Sequence, residues 1–195
     1  MNEELPRMEG YEPEKKVINM IGANVFGLII MVVLALLLGV PFVWLHGGID
    51  LAHAETMWLV VALVAGIVVH ELIHGLAWML AGRMSWRDIS FGVMWRYLAP
   101  YCHCSRPMRK SPYVAGALAP LVVLGVVPCV VAFLNGSFAW LVFGIFLTVG
   151  ACGDILVVWI LRKEKKDVLI YDHPSEAGCY VYRPQSEPEP SAKQI

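Results

Sequence analysis

The chain has 195 residues, of which 58% are hydrophobic and 16% are Asp, Glu, Lys or Arg, where soluble domains carry about 45–50% apolar and about 25% charged residues. A formal net charge of −1 supplies no basic excess for a phosphate backbone, so nucleic acid is not an expected partner. Five cysteines, an odd count without secreted-type spacing, argue against a disulfide framework.

The first 17 residues are mostly polar, and the apolar stretch behind them is longer than the roughly 7–15 residues of a signal-peptide core, so the first segment is expected to stay as a helix. Four runs, Val25–Leu45, Met57–Ala81, Tyr113–Leu134 and Phe138–Leu161, each approach or exceed the roughly 20 residues that cross a bilayer. Of the 31 charged residues only Glu71 and Asp154 lie inside them. The Lys and Arg residues fall on one side. Arg7, Lys15 and Lys16 precede the first run, six lie from Arg83 to Lys110, and six follow Leu161, while the connections at 46–56 and 135–137 hold none. Because cytoplasmic loops carry the excess of Lys and Arg, this predicts a multi-pass cell-membrane protein with both termini cytoplasmic and the lipid bilayer as its surroundings.

The expected fold class is an all-α membrane protein of four transmembrane helices, with a possible short β-hairpin between helices two and three. Residues 1–17 form a cytoplasmic N-terminal segment. Residues 18–161 form the transmembrane unit, with 83–112 as a cytoplasmic or re-entrant hairpin, and 162–195 form a cytoplasmic tail. The hairpin rests on the alternation of Ile89, Phe91, Val93, Trp95 and Tyr97 with more polar residues, interrupted at Pro100 and followed by a return at Tyr101–Ser105. An irregular loop is the alternative. The tail offers short β-like runs at Val168–Tyr171 and Cys179–Tyr182, and its Pro/Glu/Ser-rich end has the composition of a disordered segment.

The second run contains His70-Glu71-Leu72-Ile73-His74, an H-E-x-x-H pattern. On a helix, residues i and i+4 share a face, so both imidazoles reach one Zn²⁺ while the adjacent Glu71 can act on a water there as general base. Ionisable groups at membrane depth cost on the order of 2.5–3.5 kcal/mol each, which favours a compensating ligand over chance. The alternative is a buried histidine pair serving as a proton relay. Catalytic zinc usually takes three protein ligands, and Asp154 is the candidate for the third. His74 lies nine residues before Arg83 and Asp154 eight before Arg162, which puts both roughly 12–13 Å inside the cytoplasmic ends of their helices. Gly150 and Gly153 beside it would permit close helix approach. Two alternatives stay open: a buried Asp154 paired to a residue such as Asn24, and His103, between Cys102 and Cys104, as a ligand folded back from the hairpin. His46 and His53 lie on the opposite side and read as polar loop residues. Pro120 and Pro128 either kink the third helix or are simply tolerated there.

At these residues the chain resembles the intramembrane zinc metalloproteases of the site-two protease type, and more closely a family of small bacterial membrane proteins described as zincin peptidases. The similarity runs through His70-Glu71-Leu72-Ile73-His74-Gly75, Tyr101-Cys102-His103-Cys104, Ala119-Pro120, Gly153-Asp154 and Asp172-His173-Pro174-Ser175 with Gly178. It implies zinc bound by His70, His74 and Asp154, Glu71 as base, and a hairpin that helps hold an extended membrane protein or peptide substrate. Site-two proteases typically carry Asn-x-x-Pro upstream of Leu-Asp-Gly, whereas Asp154 here sits in Ala151-Cys152-Gly153-Asp154-Ile155. Two other classes compete with hydrolysis within the membrane: a non-catalytic zinc-binding scaffold, and a transporter or proton relay that uses the His/Glu/Asp cluster. Four spans without repeated halves weigh against transport.

Overall fold

The structure is a computed structural model that describes residues 5–49, 53–95 and 99–185. Among the described residues three helices are long and apolar enough to cross a membrane, or up to four if one bent pair counts as a single span. These helices mark the chain as a membrane protein. The first, α1 (Met20–His46), begins at Asn19, whose side chain accepts from the Ile21 and Gly22 amides and so satisfies two of the free donors at the helix start. It packs chiefly against later helices rather than against α2 (His53–Gly82), the helix that follows it in sequence. The third apolar rod runs from α3 (Lys110–Pro120) through a π-helical stretch at Leu121–Val126 into α4 (Val127–Asn135). Among the described residues this rod has no interruption by loop.

The fourth apolar run differs from the expected single helix. It is broken into α5 (Phe138–Gly150) and α6 (Cys152–Leu161), which meet at 43°. The break falls at Ala151, whose amide still reaches the Leu147 carbonyl while its own ψ of 3° leaves the helical range. Gly150 and Gly153 do not mark a close helix contact, since a Cβ on either would meet nothing within 4 Å. Gly27 of α1 makes that approach instead, its Cβ position lying 3.5 Å from Val149. Farther along α1, Phe42 packs with Ala132 and Leu141 in a small separate core.

The expectation of an all-α chain also needs correction. Six strands are present among the described residues: β1 (Tyr11–Val17), β2 (Ile89–Met94), β3 (Ala99–Cys104), β4 (Met108–Arg109), β5 (Leu169–Asp172) and β6 (Gly178–Pro184). β2 and β3 pair antiparallel with Phe91 opposite Cys102 and Pro100 inside the ladder opposite Val93. The other four form one antiparallel sheet in the order β1-β6-β5-β4. β5 and β6 coincide closely with the two β-like runs of the tail, whereas β1 lies in the charged N-terminal segment. Its Pro13 is tolerated because β1 is an edge strand and needs no donor there. Tyr97 of the expected strand and the Pro/Glu/Ser-rich end lie outside the described residues.

Where helix ends, hairpin and sheet converge, Trp78, Ile89, Cys104, Tyr113, Leu161 and Ile170 form one buried core. On the outer face of the sheet, charge pairing stands in for apolar packing. Arg183 forms a two-point contact with Glu164 at 2.9 and 3.0 Å, and Lys16 reaches the same carboxylate at 2.9 Å. The hydrogen bonds from Arg183, and then Lys16, hold the Glu164 carboxyl down at about 2 against an ordinary 4.5. A depressed carboxyl contributes stability that is complete above its unfolded value and is lost as pH falls through its folded one. Glu164→Gln should therefore lower the melting temperature of the detergent-solubilised protein at neutral pH. The gap to wild type should close as pH drops from about 4.5 toward 2; a pH-independent gap contradicts the assignment.

Candidate metal centre

His70 and His74 follow one another on the same face of α2, with ring centroids 4.8 Å apart and planes at 74°. Across from them stands Asp154, in the first turn of α6 just past the break at Ala151. Its Oδ2 lies 3.2 Å from His70 Nε2 and its Oδ1 3.4 Å from His74 Nε2. One donor atom from each of the three residues lies within 4.8 Å of the other two, the only such group of three or more His, Cys, Asp or Glu donors among the described residues. Both histidines are buried. Two imidazoles and a carboxylate form a donor set suited to zinc, and three protein ligands leave a fourth position for water or substrate.

Each imidazole is held from behind. His74 Nδ1 lies 3.0 Å from the Gly116 carbonyl, which only accepts, so Nδ1 carries a proton and Nε2 is the nitrogen turned toward Asp154. Trp78, one turn further along α2, stacks on His74 at 5.6 Å and on Tyr113 at 5.6 Å. Its Nε1–H donates to the Tyr113 carbonyl at 3.1 Å. α2 and α3 are thereby locked together behind the cluster.

Glu71 faces the same cavity of about 560 Å³ as His70, His74 and Asp154, a cavity walled also by α1, the hairpin and the 172–178 turn. The backbone of Cys102 on β3 lies beside the Glu71 carboxylate. That contact depends on Gly75, because a Cβ there would come to 3.0 Å from both Ile89 and Phe91 and push the hairpin away from α2. The glycine after H-E-x-x-H is thus a seat for the β2–β3 pair.

His103 is not part of the cluster. It points away from Cys102, as successive strand residues do, and its Nδ1 sits 3.3 Å from Asp172 Oδ2 on β5. Asp172 also accepts from the Tyr113 hydroxyl at 2.9 Å. Asn24 lines the cavity, but the polar partners of Asp154 are the two histidines. His46, at the end of α1, packs on Phe42; the side chain of His53 lies outside the described residues. Sequence reasoning assigned no role to the Gly116 carbonyl, Trp78, Tyr113 or Asp172. A backbone acceptor leaves no trace in residue type, and Trp78 and Tyr113 read as ordinary apolar positions of their helices. His173 accepts the Ser175 and Glu176 amides on Nδ1, and burial lowers its pKa, so it serves the turn as a neutral acceptor.

Membrane helices that enclose a His/His/Asp cluster with a neighbouring glutamate define a membrane protein with a metallopeptidase-like site. The chain belongs to the family described as "Putative zincin peptidase", whose model matches residues 63–169 and so spans all four of these residues. A curated relative, the "Uncharacterized 24.7 kDa protein in gap 5'region" of Pyrococcus woesei, is 30% identical over 128 residues. That alignment covers 63% of this chain and 53% of the relative, so the chain spans about half the length of the curated relative it matches. No solved structure matches the chain.

The packing behind His74 makes a direct prediction. A Cβ on Gly116 would sit 2.1 Å from Trp78 Cδ1, so Gly116→Ala forces Trp78 off its stack. The substitution should destabilise the protein by about 1–3 kcal/mol and change the Trp emission, measured by thermal melting in detergent with fluorescence. An unchanged melt and spectrum would contradict the described packing.

Proposed function

We propose that this protein is an intramembrane zinc metalloprotease of site-two protease type, which hydrolyses peptide bonds of membrane-embedded or membrane-proximal substrates. The observation that carries the reading is the convergence of His70, His74 and Asp154, contributed by two different helices, beside Glu71 in one cavity. The donor chemistry fits zinc: two imidazole nitrogens and a carboxylate oxygen, with at least one imidazole tautomer fixed by a backbone acceptor.

His70, His74 and Asp154 would hold the ion. Zinc, when bound, supplies a Lewis acid that polarises the scissile carbonyl and acidifies a water. Glu71 accepts the proton of the water whose oxygen bonds to the carbonyl carbon, and returns it to the amine as the C–N bond breaks. Glu71 lines the cavity, and the Cys102 backbone lies beside its carboxylate.

A helical substrate satisfies its own backbone and must unwind before a carbonyl can be attacked. Among the described residues β2 pairs with β3 alone, which leaves β2 with an outer edge able to pair with an extended segment. The one-sided Lys/Arg distribution supports a cell-membrane placement with four spans and both termini cytoplasmic, counting α5 and α6 as one broken span. The metal centre then lies toward the cytoplasmic side.

Co-reconstitution of the protein with single-span reporter peptides in proteoliposomes tests the assignment. Glu71→Gln should retain wild-type zinc content while cleavage falls by about 10²–10⁴-fold. Cleavage at the wild-type rate in that variant would remove Glu71 from the chemistry.

A further inference from the structure

Pro120 interrupts the third rod one turn after Gly116, in a stretch where the helical ladder is irregular. In an α-helix the carbonyl of residue i takes the amide of residue i+4. For Gly116 that residue is Pro120, which has no amide hydrogen. The next amide does not replace it, because Leu121 N–H turns back to the Leu118 carbonyl. Beyond it the chain continues as the π-helical stretch, with Val127 N–H on the Val122 carbonyl. The acceptor left over at Gly116 is the one that receives His74 Nδ1 at 3.0 Å. Trp78 covers the junction from the side, stacked on the His74 ring and pressed against the Gly116 Cα.

We infer that Pro120 is a positioning residue of the metal centre: by withholding an amide it leaves the Gly116 carbonyl open to the His74 Nδ1–H, and so sets which nitrogen of His74 faces the metal. The inference rests on the metal-centre reading proposed above. A ring N–H donated to a backbone carbonyl fixes the tautomer and orientation of a ligating histidine and raises its basicity. An amide at position 120 would compete for the same carbonyl. The helix would gain a regular hydrogen bond, and His74 would lose its orienting partner. This separates the role from that of a proline that only bends a span, whose replacement does not reach His74. Pro128 in the same rod serves as the comparison, since it opens α4 beyond the π-helical stretch, more than two turns past Gly116.

The test uses the full chain in detergent, stripped of metal, as wild type, Pro120→Ala and Pro128→Ala. Zn²⁺ affinity is read by chelator competition, the absorption of Co²⁺ in the visible range reports the ligand field, and the metal-free melting temperature is recorded beside them. For Pro120→Ala, Zn²⁺ affinity should fall by about 10- to 100-fold and the Co²⁺ bands should shift. The variant should still fold without metal, because the regained helix hydrogen bond offsets part of the packing lost with the buried proline ring. Pro128→Ala should match wild type in affinity and spectrum. Wild-type affinity in Pro120→Ala, an equal loss in Pro128→Ala, or failure of Pro120→Ala to fold would each overturn the inference. Wild type that binds neither ion overturns the metal-centre reading itself, whatever the variants do.

Discussion

Polar groups placed among membrane helices must find their partners inside the protein, because the surrounding hydrocarbon offers none. Asp154 meets that constraint for both histidines at once. Its two carboxylate oxygens face the two Nε2 atoms, so one residue of α6 ties together a full turn of α2. The break at Ala151 belongs to the same arrangement, since it puts Asp154 in the first turn of a new helix, where its carboxylate meets His70 and His74. A straight fourth helix would carry Asp154 in mid-rod, with its direction fixed by the packing of α5.

The remaining structure orients this contact from three sides. α3 supplies the Gly116 carbonyl behind His74 and the Tyr113 ring behind Trp78. The hairpin, seated on Gly75, brings the Cys102 backbone to Glu71. The tail sheet reaches both through Asp172, which accepts from Tyr113 and lies beside His103. The tail therefore belongs to the support of the site, although the family match ends at residue 169.

What the sequence made legible follows from strong local signals. Long uncharged runs, the i, i+4 histidine spacing and the equal depths of His74 and Asp154 are properties of single helices measured from their ends. They reach the cluster without tertiary information. The break at Ala151 left no sign, because Gly150-Ala151-Cys152-Gly153 is compatible with a continuous membrane helix. β1 was hidden for a different reason: Tyr11-Glu12-Pro13-Glu14-Lys15-Lys16-Val17 has no apolar alternation, and it forms a strand because β6 supplies the ladder and Glu164, Glu176 and Arg183 supply ionic partners. The hydrogen bond to Gly116 was invisible because its acceptor is backbone, exposed by a proline four residues away.

Zinc content and coordination of the purified protein test the central claim most directly. Metal analysis should give one zinc per chain in wild type, and X-ray absorption should resolve two imidazole nitrogens with a carboxylate oxygen at about 2.0–2.2 Å. Asp154→Ala should lose the oxygen shell and most of the zinc. A wild-type chain that binds no zinc, or an Asp154→Ala chain with the wild-type spectrum, would contradict a centre built from His70, His74 and Asp154.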